Sequence, residues 1–292
     1  MTARACLLGL VVALLGAALP SSALDWPVAR RIVTGTFGED RGDHFHAGID
    51  IGGGAQEVYP VLPGELVFRY EDGVSYTTVP RGTGSFVALR HAQDIVTVYA
   101  HLDTASLGPF TARYATTDRI GVIGDSGHAD GKHLHFGVFD IDAGSAINPL
   151  TLLPPIADTQ PPVVRRIVLA AGDTQQTLDD GSSVASGKYD VLAEVFDLRE
   201  DVRYHAEIAP YSTSLSLDGR ETNRVVFDSL QVEDGKEIIG SVKLARADLY
   251  RSGGLVYCGT VTLRAGQSTL RLAARDFAGN ETAKVIPFAV HD

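Results

Sequence analysis

The sequence predicts an all-β, mainly antiparallel protein built as two successive domains. Apolar residues come in short runs flanked by turn residues. The chain's 292 residues include 31 Gly and 13 Pro spread along its length. Strand–helix–strand alternation of the kind that builds parallel sheets is absent from the pattern. Hydrophobic residues make up 45% and charged residues 21%, the composition of a chain that buries a core.

Residues 1–23 read as a secretory signal peptide. Arg4 supplies the basic start, Ala5 to Leu19 is nearly unbroken apolar sequence, and Pro20-Ser21-Ser22-Ala23 supplies small residues for cleavage after Ala23. The apolar stretch is short for a bilayer span, so no stable membrane insertion is expected after cleavage. Cys6 lies too early in this segment to be a lipid attachment site. The expected location is periplasmic or extracellular. Cleavage leaves Cys258 as the one cysteine, in the strand-like run Leu255-Val256-Tyr257-Cys258, so no internal disulfide is available and a buried, inert thiol is expected.

Residues 24–153 form the first predicted domain. Its expected strands are Val58–Leu62, Glu65–Tyr70, Ser85–Arg90, Ile95–His101, Ile120–Gly124 and Leu134–Phe139. Pro63-Gly64 marks a tight turn, and His91-Ala92-Gln93-Asp94 a four-residue hairpin loop. Residues 154–162 hold four prolines in nine positions and read as a stiff linker. Residues 163–292 form the second predicted domain. Seven short strands are expected there: Val164–Ala170, Tyr189–Phe196, Ser212–Leu217, Arg224–Phe227, Leu255–Leu263, Thr269–Ala274 and Ala283–Val290. That number in about 130 residues suggests an immunoglobulin-like β-sandwich, with a helical turn within 233–250.

The net charge is −11 and no basic cluster occurs, so nucleic acid is not an expected partner. The chemistry concentrates in the first domain, which carries seven of the nine histidines. In His133-Leu134-His135, residues i and i+2 of a strand share a face, about 7 Å apart at ~3.3 Å rise per residue. Either could bind a metal while the other stands beside it. In His46-Ala47-Gly48-Ile49-Asp50, the glycine and the β-branched residues argue against a helix, and a bend at Gly48 could bring His46 and Asp50 to one point. Two histidines and one carboxylate leave a fourth position open, the pattern of a catalytic zinc. His101, at the end of a predicted strand in Tyr99-Ala100-His101-Leu102, falls between these motifs in the chain. His44 reads as a supporting or surface residue, His91 and His128 as solvated loop residues, and His205 and His291 as surface residues. Residues 24–43, with Trp26 and Arg30-Arg31, precede the site and could lie across it.

From about His44 to Leu150 the chain resembles the LytM-type peptidoglycan endopeptidases, the M23 metallopeptidases that include lysostaphin. The resemblance rests on His46-Ala47-Gly48-Ile49-Asp50, Val58-Tyr59-Pro60-Val61, Gly64-Glu65-Leu66-Val67 and Tyr99-Ala100-His101-Leu102. It continues through Gly124-Asp125-Ser126-Gly127, Gly131-Lys132-His133-Leu134-His135-Phe136 and Asn148-Pro149-Leu150. Gly137 departs from the pattern, since a glutamate is frequent there. The resemblance implies an antiparallel sheet with one zinc in a groove. His46, Asp50 and His135 match its ligands, and His101 and His133 match its two catalytic histidines. It implies hydrolysis of peptide cross-links of peptidoglycan by zinc-activated water. Family members that have lost zinc ligands activate other cell-wall hydrolases, so a silent regulator is the alternative. The second domain carries no catalytic signal and could contact cell wall or a protein partner.

Overall fold

The computed structural model describes residues 24–73, 81–202 and 207–292. The signal peptide expected at 1–23, Cys6 and His205 lie outside the described residues. The described residues are β throughout, with one α-helical turn among them at Arg246–Leu249 and short 3-10 turns. No helix among the described residues is long and apolar enough to cross a membrane.

The first half is organised around the strand Leu134–Asp140. One edge pairs antiparallel with Ile95–Leu102, followed outward by Ser85–Arg90, Gly64–Tyr70 and Arg113–Tyr114. Its other edge is shared. Ile49–Ile51 takes the first part, with Asp50 opposite His135, and Ser145–Ile147 takes the last part. Val33–Gly35 then pairs outside Ile49–Ile51. One face of this sheet packs a core of Ile49, Ile51, Val87, Leu89, Tyr99, Leu134, Phe136 and Val138, all fully buried. The alternation of these residues with polar ones along each strand produces the two faces. Of the predicted strands, Ser85–Arg90 has the expected bounds, whereas only Val58 of Val58–Leu62 and only Gly121–Val122 of Ile120–Gly124 are strand.

Trp26 belongs to this core: it is 6% exposed, and its indole N–H donates to Pro154 O at 2.9 Å. Arg30 bonds to Gln56 and Gly53. These residues tie the start of the described chain to the body of the sheet rather than drawing it across the histidines.

Residues 163–292 contain two five-stranded sheets that share a hydrophobic core. All seven expected strands are present, two with the expected bounds and five longer by two to four residues, one of these, Arg220–Val226, ending before Phe227. Ser183–Ala185, unexpected from sequence, runs parallel to Glu281–His291. Cys258 is buried, and burial pushes its thiol up to about 12.

The halves are joined by far more than residues 154–162. Ser229–Glu233, Lys236–Ile239 and Leu244–Ala245, drawn from the second half, continue the first half's sheet beyond Ser145–Ile147, making it eleven-stranded. Phe37 and Phe45, from the first half, are fully buried in the core they share with the second half. Burying each contributes about 2–3 kcal/mol. Sequence periodicity missed these added strands because each is short and mixed in polarity. The 154–162 segment is itself anchored: Asn280 Nδ2 donates to Asp158 O, and Arg199 Nη1 donates to Asp158 Oδ2.

Candidate metal centre

His46, Asp50 and His135 reach one point from three local structures. His46 ends a turn in which Gly38 N and His46 N exchange backbone bonds with His46 O and Glu39 O. Asp50 is central in Ile49–Ile51, and its cross-strand partner is His135. Directly opposed residues of an antiparallel pair project on one side, so the register alone brings Asp50 and His135 together. Gly48 makes the approach possible: a Cβ there would stand 2.8 Å from His135 Nε2 and 2.6 Å from Phe136 O.

The donor atoms are His46 Nε2, Asp50 Oδ1 and His135 Nδ1, separated from one another by 3.0, 3.1 and 3.2 Å. Tetrahedral donors about 2.0–2.1 Å from a zinc ion stand about 3.3 Å apart, so the trio fits three corners of such a site. Its orientation is fixed from behind. His46 Nδ1–H donates to Thr36 O at 2.7 Å, which leaves the Nε2 lone pair directed at the trio. Asp50 is 7% and His46 4% exposed. Burial works to raise Asp50's carboxyl, but the charge and hydrogen bonds of His46 and His135 hold it well below the usual carboxylate range. Burial pushes the His135 imidazole down to about 4 against the opposing pull of Asp50. A carboxylate and neutral imidazoles are the forms that bind metal.

His101 and His133 stand beside the trio. The His101 and His133 rings are 4.7 Å apart between centroids, and His101 lies 6.1 Å from His135. His133 Nε2 is 3.6 Å from Asp50 Oδ1. His101 faces the site through a local distortion. Between the pairs Ser85–Leu102 and Val87–Tyr99 the register shifts, so Ala100 and His101 together oppose Phe86, and His101 takes φ 60°. A bulge with a left-handed residue re-aims a side chain that simple alternation would send to the far face. A non-glycine in that region costs about 1–3 kcal/mol and is held by its surroundings. Here His101 Nδ1–H donates to Ser126 O at 2.9 Å, and Ser126 Oγ in turn donates to Leu102 O and accepts from Ser85 N. His133 Nδ1–H donates to Gly131 O at 3.0 Å. A carbonyl only accepts, so both rings carry a proton on Nδ1, and Nε2 is the nitrogen left to exchange a proton. Burial holds His101 below the usual imidazole range.

The five residues singled out by sequence are thus all brought together. The others are not. His44 is exposed against Asp43, His128 is exposed, and His291 bonds Ser183 at the surface. His91 corrects its expectation as a solvated loop residue: it is 7% exposed, with Nδ1–H on Pro63 O and Nε2 at 2.7 Å from Thr97 Oγ1. The carbonyls of Thr36, Ser126 and Gly131 escape sequence reading because any residue supplies a carbonyl.

Residues 44–149 match the model of peptidase family M23, and residues 161–291 match a second, separate family model. An uncharacterized metalloprotease of Haemophilus influenzae is 40% identical over 111 residues, covering 37% of this chain and 21% of its own length. The murein hydrolase activator NlpD of Escherichia coli is 28% identical over 136 residues, covering 46% of this chain and 32% of its own. The chain therefore spans a third or less of these relatives. The catalytic domain of lysostaphin from Staphylococcus simulans is 21% identical, with a TM-score of 0.32, over 40% of this chain and 86% of that one. Residues 44–149 thus carry a domain similar to peptidase family M23.

Proposed function

We propose that this chain is an exported, zinc-dependent endopeptidase that hydrolyses peptide cross-links of peptidoglycan. One observation carries the reading: three metal-type donors within 3.2 Å of one another lie beside two imidazoles whose Nε2 atoms are free to exchange protons. His46, Asp50 and His135 would hold one zinc ion, which supplies a Lewis acid for the scissile carbonyl and for water. His101 and His133 do the remaining work. As neutral bases they accept a proton from attacking water. Once protonated, they donate to the oxygen that gains charge and to the leaving amine. The carbonyls of Ser126 and Gly131 keep each ring aimed during that exchange.

Zinc content of the purified protein, and mass analysis of products from defined cross-linked muropeptides, test the reading. About one zinc per chain and cleavage of a peptide bond are expected. Full cleavage by a verified zinc-free protein would falsify it. The similarity to a relative named a murein hydrolase activator favours a second reading, a silent regulator of another wall hydrolase. In that case His101→Ala stimulates a partner hydrolase as well as the wild type does, and neither cuts wall alone.

A further inference from the structure

The segment between Thr36 and His46 does more than deliver a ligand. Glu39 Oε1 accepts from Thr36 N at 2.6 Å and Thr36 Oγ1 at 2.9 Å, and from Ala209 N, in the second half of the chain, at 3.3 Å. Its other oxygen, Oε2, takes Arg41 Nη2 at 3.1 Å. The same Nη2 donates to Asp50 Oδ2 at 2.8 Å, and passes 3.0 Å from His46 Nδ1, whose proton is on Thr36 O. Space for the guanidinium comes from Gly35, where a Cβ would lie 2.7 Å from Arg41 Nη2 and 2.8 Å from Asp50 Oδ2. The whole turn is clamped by the second half. Tyr250 OH donates to Gly38 O, Arg246 pairs with Asp40, Thr36 Oγ1 lies 2.9 Å from Ala209 O, and the Phe227 ring lies against Gly38.

We propose that Arg41 is a positioning residue for the metal centre, and that Glu39, braced on the second half through Ala209, holds Arg41 in place. The Asp50 carboxylate has two oxygens. Arg41 occupies Oδ2 and leaves Oδ1 for the position shared with His46 and His135, which makes the carboxylate a one-oxygen donor of fixed orientation. Ligating carboxylates held from behind in this way bind metal more tightly than free ones. Arg41 also brings a positive charge close to the site, and a charge alone would oppose a dication. The two effects have opposite signs, so the direction of the measured change decides between them. If positioning dominates, the second half acts as a structural part of the metal centre rather than an appended module. The inference rests on the zinc reading above, but it is tested by metal affinity, not by wall cleavage.

The experiment uses the full chain and measures zinc affinity by competition with a chelator of known affinity, with the Co²⁺ absorption spectrum as a report on geometry. Arg41→Ala is expected to weaken zinc about 10–100-fold and to shift the Co²⁺ bands. Arg41→Lys keeps a donor at Oδ2 and should stay within about threefold of wild type. Glu39→Gln, which leaves Arg41 paired with Asp50 alone, should fall between them. Thermal unfolding of the metal-free proteins should be unchanged, because Arg41 is one-third exposed. Unchanged or tighter zinc binding in Arg41→Ala overturns the inference, as does a loss matched by an equally lowered unfolding temperature without metal. A wild type that binds zinc tightly, weakened by Arg41→Ala, supports it whether or not wall is cut. A wild type that binds no zinc overturns both readings.

Discussion

Each half of the molecule buries a trio of titratable side chains, and the two trios are made tolerable in different ways. In the first half, His46, Asp50 and His135 combine one carboxylate with two imidazoles, and their donor atoms converge. In the second, Asp158, Asp197 and Asp276 bring three carboxyl groups within 4.8 Å of one another. There the oxygens are turned to N–H groups. Asp276 accepts from the amides of Gly279 and Asn280 and from Asn280 Nδ2, and Asp158 accepts from Arg199 and Gln160 N. Asp197 gains only the amide of Leu198 among the described residues. Burial, then the charges of Asp276 and Asp158, push its carboxyl up to about 7. The first trio is a set of donors aimed at a common point. The second fastens the 154–162 segment to the sandwich, and one of its members does best with a proton. Clustering of such residues is thus shared by both, and orientation separates them.

Removing a member of the first trio should have the largest effect. His135→Ala is expected to lose zinc, and cleavage should drop by about 10³-fold or more, the equivalent of at least ~4 kcal/mol. Zinc analysis and muropeptide digestion on the same sample check this. His101→Ala should keep zinc yet lose about 10²–10⁴-fold in rate, the usual contribution of a positioned proton carrier. Loss of zinc from that variant would place His101 among the ligands and erase the distinction between trio and flanking pair.

The first trio was legible in sequence because its spacing follows from strand geometry and its motifs resemble a known family. Even so, strand alternation left His133 and His135 equivalent, and only the cross-strand pairing of Asp50 with His135 separates them by structure. His101 was legible as a residue type, but the bulge and positive φ that turn it inward were not, since register shifts depend on three strands at once. Arg41 was invisible: its role depends on Gly35 and on Ala209, 168 residues further along the chain. The second trio was equally hidden, drawn from a proline-rich segment and two loops with no shared pattern. Seven sandwich strands could be read from alternation, whereas Ser229–Glu233, Lys236–Ile239 and Leu244–Ala245 could not, because their partner lies in the other half.

The second trio gives the next largest effect. Asp197→Asn removes a carboxyl whose ionised form is unfavourable in the fold, so the variant should unfold a few °C higher than wild type at pH 7, measured with chelator present in both samples. The sign follows from the raised value. The folded chain holds this proton up to about pH 7, whereas the unfolded chain releases it near 3.8, the ordinary aspartate value. Wild-type stability should therefore fall as pH rises across that window, and Asp197→Asn should flatten the slope. Zinc affinity should not change. A variant less stable than wild type at pH 7 would mean that the ionised carboxylate is the favoured form, and that the second trio resembles the first after all.

His91 offers a third way to bury a titratable group, and the smallest effect. Neither convergence nor a counter-charge is involved: each ring nitrogen has one neutral partner, Pro63 O and Thr97 Oγ1. Burial lowers its imidazole below 6.5, outweighing the carbonyl contact, which favours the protonated form. The unfolded chain then takes up a proton that the folded chain resists. The stabilisation is complete above pH 6.5 and declines as pH falls below it, the opposite slope to that of Asp197. Replacing His91 with Gln removes this titration while retaining a donor and an acceptor. The wild-type unfolding temperature should drop more steeply than that of His91→Gln between pH 7 and pH 5, by a smaller margin than the Asp197 change. Parallel profiles for the two proteins would show that His91 is as easily protonated in the fold as in the open chain, and that two neutral hydrogen bonds do not suffice to keep a buried imidazole uncharged.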